Sequence, residues 1–332
     1  MNTRRTAPRA WVFVGLAESI GPGTVHSVDI ADSPRVVYRT GSGELVVADA
    51  HCPHVGTHLG QGATIEGDYI RCPLHGLRFE PHGACVEARA RGGSLMLRVH
   101  PVCEVAGMVF SWYAPDQSPP SFALPELDDQ AFLPYRIRTE RLDLAMEEPL
   151  EVHAVDIGHN TTLHAEQGVE PVEPLTIDAS STHAALVMRH PATPTGKRML
   201  RLLGVHDGYV ETHVEVRTVG LGYQHIRSTV ASMGIVVNQF MLAVPRAANE
   251  VDLNVVYSMQ RLDRARLPRL FRMLPLPLLE PVFDRAGYDE LMAATDEHMG
   301  MWTRKRQLAA PGWFPDEDGL RRYRTWADGF YE

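Results

Sequence analysis

Residues 51–75 read HCPHVGTHLGQGATIEGDYIRCPLH, and how cysteine and histidine are spaced in this stretch decides how the chain is read. Only four cysteines occur in 332 residues, and two of them, Cys52 and Cys72, stand here with a histidine close behind each. Cys52 and His54 form Cys-x-His; after seventeen intervening residues, Cys72 and His75 form Cys-x-x-His. Thiolate sulfur and imidazole nitrogen together suit zinc or iron–sulfur chemistry.

A zinc finger pairs cysteine with cysteine and histidine with histidine in sequence. Here each half supplies one of each. That division suits a [2Fe–2S] cluster with two cysteines on one iron and two histidines on the other, the Rieske arrangement. Pro53 and Pro73 occupy matching places, and Gly56, Gly60 and Gly76 permit tight turns beside the ligands. Two loops clamping a cluster is the resulting expectation. His51 and His58 fall outside the pattern and are expected to face solvent or shape the loops. Cys85 and Cys103 match no ligand spacing and read as small buried hydrophobes.

Composition narrows the class. A chain of 332 residues suits two domains or one large one. The net charge of −9 argues against a general nucleic-acid binder, which would carry a basic face. No apolar run approaches the roughly 20 residues needed to span a bilayer, and MNTRRTAPRAWVFVGL lacks the apolar stretch of a secretory signal. Four cysteines in a chain of this size make a reducing cytoplasm the default expectation.

Short strand-like segments surround the cluster motif: RVVYR, ELVVADA, YIRC, LRFE and SLMLRVHPV. They predict a small antiparallel β-domain over residues 8–116, closing in the Pro- and Ser-containing stretch SWYAPDQSPPSFALPEL. Residues 117–332 then form a second domain. A second constellation lies at 147–164, EEPLEVHAVDIGHNTTLH. Pro149 after acidic residues marks a helix start. On such a helix Asp156 and His159 share a face. His159 and His164 stand about 140° apart on an ideal helix, so they meet only if the helix ends or bulges between them. Two histidines brought together suit a mononuclear metal with open positions, as in non-haem iron oxygenases.

The two constellations together resemble the oxygenase component of the Rieske non-haem iron oxygenases, over nearly the whole chain. The resemblance implies a Rieske [2Fe–2S] domain followed by a helix-grip catalytic domain with an antiparallel sheet, an α+β fold. It implies that Cys52, His54, Cys72 and His75 hold the cluster, and that His159 and His164 hold a mononuclear Fe(II) that uses O2. It further implies a homotrimer, in which Asp156 links His159 of one subunit to His75 of the next as an electron bridge.

The C-terminal ATDEHMGMWTRKRQLAAPGWFPDEDGLRRYRTWADGFYE resembles the 3-ketosteroid 9α-hydroxylase and sterol desaturase branch, with Trp302 and Pro311 setting the register. In that register an aspartate is expected four residues before the tryptophan. The chain has His298, preceded by Asp296 and Glu297. Three readings stay open: His298 as third ligand, a local shift bringing in Glu297 or Asp296, or water. His153 stands where relatives carry an asparagine beside the iron; it either donates to bound dioxygen or closes a core helix.

Between these segments HAALVMRH, RMLRLLGV, YVETHVEVR, YQHIRSTVA, GIVVNQFMLAVP and VDLNVVYSMQR predict an antiparallel sheet with one buried face, covered by a helix over AATDEHMGMWTRKRQL. Met188, Met199, Met233, Met241 and Met259 are candidates for a greasy pocket or for core filler. The stretch 261–283, RLDRARLPRLFRMLPLPLLEPVF, is broken by Pro268, Pro275, Pro277 and Pro281. It reads as a surface excursion or a contact with a membrane surface.

No Gly-x-Gly-x-x-Gly fingerprint occurs, so electrons are expected from a separate NAD(P)H-dependent flavin reductase, directly or through a ferredoxin. The leading expectation is hydroxylation or desaturation of a hydrophobic, polycyclic, steroid-like or natural-product substrate. A second reading within the class is hydroxylation or O-demethylation of an aromatic acid, with Arg201 or Arg227 pairing its carboxylate. A reading of another class is an electron-transfer iron–sulfur protein on an oxygenase scaffold.

Overall fold

The computed structural model describes residues 7–156, 158–163, 169–191, 209–306, 308, 311–315 and 317–331. The N-terminal part is built from ten short strands: β1 (Ala10–Leu16), β2 (Val25–Ile30), β3 (Ser33–Arg39), β4 (Leu45–Asp49), β5 (Thr64–Glu66), β6 (Tyr69–Arg71), β7 (Arg78–Phe79), β8 (Val99–His100), β9 (Val102–Val105) and β10 (Met108–Tyr113), with the short helix α1 (Val86–Ala90) before β8. They form three sheets, ordered β1-β10-β9, β2-β3-β4-β8 and β5-β6-β7. The runs VVY and VV of β3 and β4 are buried, which β-branched residues on a packed sheet favour.

The C-terminal part holds one seven-stranded antiparallel sheet. Its strands are β11 (Arg136–Leu142), β12 (Val169–Ile177), β13 (Ser181–Pro191), β14 (Tyr209–Val219), β15 (Tyr223–Val230), β16 (Ile235–Ala247) and β17 (Glu250–Met259), ordered β11-β17-β16-β15-β14-β13-β12. The helices are α2 (Glu147–Ala154), α3 (Gly158–Thr162), α4 (Leu276–Trp302) and α5 (Asp318–Asp328). Along β14, Thr212, Val214, Val216 and Thr218 are buried while Glu211, His213, Glu215 and Arg217 face out, the period-two pattern of a half-buried strand. β17 departs from the expected single buried face: it is buried on both sides from Val251 to Met259. The cause is double coverage. α4 lies on this part of the sheet, and the N-terminal sheets pack at the other end of the β16–β17 hairpin, where Ala31 N–H donates to Pro245 O at 2.6 Å.

Helix α4 is longer than its sequence suggests and runs through Pro281. Pro277 sits in its first turn, where a missing N–H costs nothing. Two arginines of β11 hold it to the sheet. Arg136 pairs with the buried Asp284, and Arg138 Nη1 reaches Asp296 at 2.7 Å. Tyr257 Oη–H of β17 also donates to Asp284 O at 3.0 Å.

One continuous core joins the two halves of the chain. Trp11 and Trp112 meet edge to face at 5.5 Å, Phe122 of the connecting segment follows at 5.2 Å from Trp112, and Phe330 of the C-terminus at 5.8 Å from Phe122. Trp11 Nε1–H donates to Phe122 O at 2.8 Å, so the indole is buried with its polar atom satisfied. The turn before β15 approaches β1 so closely that a Cβ on Gly222 would stand 2.0 Å from Trp11 O. Gly222→Ala must therefore push the halves apart, and we expect a loss of about 3 kcal/mol in urea unfolding. An unchanged midpoint would show that this contact yields freely.

Candidate functional site

The first site is two copies of one loop. CPHVG (52–56) leaves β4, and CPLHG (72–76) follows β6. In the first, Cys52 N–H donates to Thr57 O at 2.8 Å and Gly56 N–H to Cys52 O at 2.9 Å; in the second, Cys72 N–H donates to Leu77 O at 2.8 Å and Gly76 N–H to Cys72 O at 3.1 Å. Gly56 and Gly76 adopt φ of +81° and +69°, a region that L side chains enter only at a cost. The repeat carries both cysteines inward, 2% and 1% exposed, into a core with Tyr38, Leu59 and Phe79. The His54 and His75 rings stay at the exposed tip and meet at 4.8 Å.

The four side chains therefore converge in pairs, sulfur with sulfur and imidazole with imidazole. That is the donor division a two-iron cluster requires, and one that a single tetrahedral ion does not use. Burial pushes the Cys52 thiol up to about 11, against a main-chain hydrogen bond that lowers it, and the adjacent Cys72 thiol adds to the rise. A coordinating metal reverses that preference, since a ligating thiol is deprotonated. His51 and His58 form a β-bridge with their rings 5.1 Å apart, shaping the loop base. Cys85 is buried as expected. Cys103 is only half-buried, at the edge of the large core.

The second site differs locally from the helix expected from sequence. α2 stops at Ala154, before His159, and the chain turns through Val155 and Asp156 into the five-residue α3. Asp156 and His159 are thus not neighbours on one helix face. Instead Asp156 Oδ1 accepts the main-chain N–H of His159 at 3.2 Å, one of the donors a helix start leaves over. The break falls at Val155, whose φ of −144° leaves the helical region four residues before His159. His159 Nδ1–H donates to the main-chain carbonyl of Asp156. A carbonyl only accepts, so the ring carries its proton on Nδ1 and its lone pair on Nε2.

His298 of α4 reaches the same place. It is 2% exposed, its Nδ1–H donates to Ala294 O at 2.9 Å, and its ring stacks on Trp302 at 4.9 Å. The same tautomer follows, with Nε2 carrying the lone pair. The His298 ring lies 5.3 Å from that of His159 and 5.2 Å from that of His153, and His153 lies 6.2 Å from His159. Asp296 is drawn away to Arg138, and Glu297 is exposed. His164 lies outside the described residues. Among those described, no three His, Cys, Asp or Glu side chains complete a single-ion site.

What composition did not reveal is the ionic cluster behind these histidines. Glu147, Glu148 and Glu151 of α2 are 3%, 1% and 4% exposed. Lys305 Nζ bridges Glu148 at 2.8 Å and Glu151 at 3.0 Å, and Arg324 of α5 grips both oxygens of Glu151 at 2.8 and 2.9 Å. Tyr331 Oη–H donates to Glu147 at 2.5 Å. Lys305 follows Trp302 by three residues, so the pairs tie the end of α4 to the helix that carries His153. Nothing in the sequence marks this cluster, because Glu147, Glu148 and Glu151 share one helix face and read as its solvent side.

The candidate pocket residues sort differently. Met241 belongs to the main core, Met233 and Met259 to a smaller core under α4, and Met188 packs at the core edge; Met199 and Arg201 lie outside the described residues. Arg227 stands opposite Glu215 on the sheet and pairs with it at 3.8 Å, which leaves it matched without a substrate carboxylate.

Comparison with known proteins bears on the cluster-loop region and on the fold. A family profile for the Rieske [2Fe-2S] domain matches residues 10–101. Cholesterol 7-desaturase nvd of Xenopus laevis is 26% identical over 345 residues, 98% of this chain and 72% of the relative. The chain belongs with the Rieske oxygenases. Within that group, a 3-ketosteroid-9-alpha-monooxygenase oxygenase component of Rhodococcus rhodochrous is 34% identical over 125 residues, 36% of this chain and 33% of the relative. Crystalline dicamba monooxygenase bound to dicamba superposes with a TM-score of 0.62 over 97% of this chain and 96% of that one, at 19% identity. Pseudomonas putida CBB5 NdmA reaches 0.63 over 96% and 88%, at 14% identity. These two likenesses speak to the fold of a Rieske oxygenase. The similar relatives in sequence lie in its sterol desaturase and ketosteroid monooxygenase branch.

The carboxylate cluster predicts a strong dependence on Lys305. Lys305→Met leaves Glu148 buried without its cation and should cost about 2–3 kcal/mol, the upper range for a broken buried pair being discounted because the lysine is partly exposed. Burial lowers the Lys305 pKa, but Glu151 and Glu148 outweigh it and hold it above that of an ordinary lysine. A raised lysine pKa stabilises fully below the unfolded value and loses that contribution as pH climbs through the folded one. Urea midpoints of wild type and Lys305→Met should therefore differ at pH 8 and draw together as the pH rises through and past the ordinary lysine range. A constant gap across that window would contradict the pairing.

Proposed function

We propose that this Rieske oxygenase hydroxylates or desaturates a hydrophobic, polycyclic substrate of steroid-like shape. The observation that carries the reading is the meeting of His159 and His298 from two separate helices, with both lone pairs assigned to Nε2. It is supported by sequence similarity along nearly the whole chain to enzymes whose names state action on cholesterol. Residues 8–116 form the cluster unit in this reading and 117–332 the catalytic unit.

In this assignment Cys52 and Cys72 hold one iron of the cluster, and His54 and His75 the other. His159, His164 and His298 hold the mononuclear Fe(II), with His298 in the place that a carboxylate takes in relatives. When bound, these groups supply single electrons and activate O2 for attack on a C–H bond.

The chain's own residues position that chemistry. The carbonyls of Asp156 and Ala294 fix the tautomers of His159 and His298 and make each ring a stronger donor. Trp302 shields one face of His298 from water. In the electron bridge between subunits of a homotrimer, Asp156 meets the His159 imidazole through its main-chain carbonyl and leaves Oδ2 of its carboxylate to the cluster histidine of the neighbouring subunit. His153 stands within reach to donate a hydrogen bond at the open side of the site. Electrons come from a separate NAD(P)H-dependent flavin reductase or a ferredoxin.

Two experiments test this reading. With a reductase, NADH and O2, the reconstituted protein should convert a sterol or 3-ketosteroid to a product heavier by one oxygen or lighter by two hydrogens. Conversion of aromatic acids alone would overturn the substrate class. Asp156→Asn should keep iron and sulfide content while turnover falls at least ~100-fold; turnover near wild type would remove Asp156 from the electron path.

A further inference from the structure

The stretch 261–285 has no part in the site, yet among the described residues it gathers more exposed large hydrophobic side chains than any segment of its length elsewhere in the chain. Thirteen large hydrophobic side chains are exposed among the described residues, and five of them, Leu270, Met273, Leu274, Leu278 and Val282, fall within 270–282. Met273 is 88% exposed and Leu278 68%. A patch of this kind on a soluble surface marks an interaction.

The crest is held firmly from behind. Phe271 and Phe283 pack edge to face at 5.5 Å, in one core with Leu267, Leu279, Met233 and Met259. Arg272 donates from Nε to Leu267 O at 2.6 Å and from Nη2 to Ala265 O at 2.7 Å, and Arg264 donates to Leu274 O at 3.2 Å. One set of apolar side chains points into the protein and another is presented outward on a stapled loop and the first turns of α4.

Its charge runs against that of the chain. Residues 261–285 carry six arginines against Asp263, Glu280 and Asp284, in a protein whose net charge is −9. Arg264, Arg269 and Arg272 pair with no carboxylate among the described residues, the first and third spending hydrogen bonds on main-chain carbonyls only. We propose that this crest docks the enzyme on an anionic lipid surface, with the aliphatic side chains entering the headgroup boundary and the arginines meeting lipid phosphates. Leu, Met and Val with flanking arginines suit shallow insertion; arginine also serves protein hot spots, but the Trp and Tyr that anchor them are absent from 270–282. A second copy seated across a two-fold axis would set arginine against arginine. The docking surface rests on exposure and charge, and it adds to the substrate reading a means of meeting a substrate dissolved in lipid.

The test is co-sedimentation of the holoenzyme with vesicles of phosphatidylcholine alone and of phosphatidylcholine mixed with phosphatidylglycerol. Binding should need the anionic lipid, weaken as salt rises, and fall at least ~tenfold in Met273→Asp/Leu278→Asp and in Arg266→Gln/Arg269→Gln. Both double variants change exposed side chains, and turnover of a water-dissolved substrate should persist in them, so failure of docking and failure of the substrate assignment read out separately. Wild-type protein that ignores anionic vesicles, or variants that bind as well as wild type, would overturn the proposal. So would a drop in oligomeric mass of Met273→Asp/Leu278→Asp by light scattering without any vesicle binding by wild type, which assigns the crest to a second copy.

Discussion

Two carboxylates taken out of water set the geometry of the catalytic half. Glu148 and Glu151 are buried on a helix, and a buried charge is tolerated only with a partner at hydrogen-bonding distance. Lys305 and Arg324 are those partners. To deliver them, the chain after α4 must close over α2, and α5 must dock behind it. That closure brings the end of α4, and so His298, to the helices that carry His153 and His159. The ionic cluster and the histidine cluster are two faces of one constraint. Loosening the first displaces the second without touching any group that would hold metal.

The cluster loops obey a different economy. Neither CPHVG nor CPLHG depends on a charge buried elsewhere; each is closed by its own main-chain hydrogen bonds and by a glycine at positive φ. Proline after each cysteine limits the loop before folding. This local closure buries both sulfurs while leaving both imidazoles at an exposed tip, beside Val55 and Leu74. The histidine edge is therefore where the cluster would meet another protein surface.

How much of this could be read beforehand follows from the range of each interaction. The cluster ligands were plain because they are local: two loops, each a few residues long, with chemistry written in Cys, Pro, His and Gly. The strands of the large sheet were plain where they alternate, as in β14, and misjudged where both faces are covered, as in β17, because the second cover comes from distant chain. The helix break before His159 was placed too late. A bulge is expected only after His159, and the Asp156 side chain that receives the start of α3 reads as a helix residue. The role of His298 could only be posed as a choice. What separates it from Asp296 is Arg138 on β11, which lies far away in sequence and draws the aspartate aside. Lys305 and Arg324 gave no sign at all, since a basic residue near a C-terminus reads as surface until its acidic partner is found buried.

The account stands or falls on a second metal site beside the cluster, built on histidine where relatives are expected to use aspartate. The direct measurement is iron and acid-labile sulfide per chain after anaerobic purification and loading with ferrous iron. The account predicts three irons and two sulfides, about one iron above what the cluster alone requires. About two irons with two sulfides after the same loading would mean that the histidines of α3 and α4 hold no metal, and the chain would then be an electron carrier in the frame of an oxygenase.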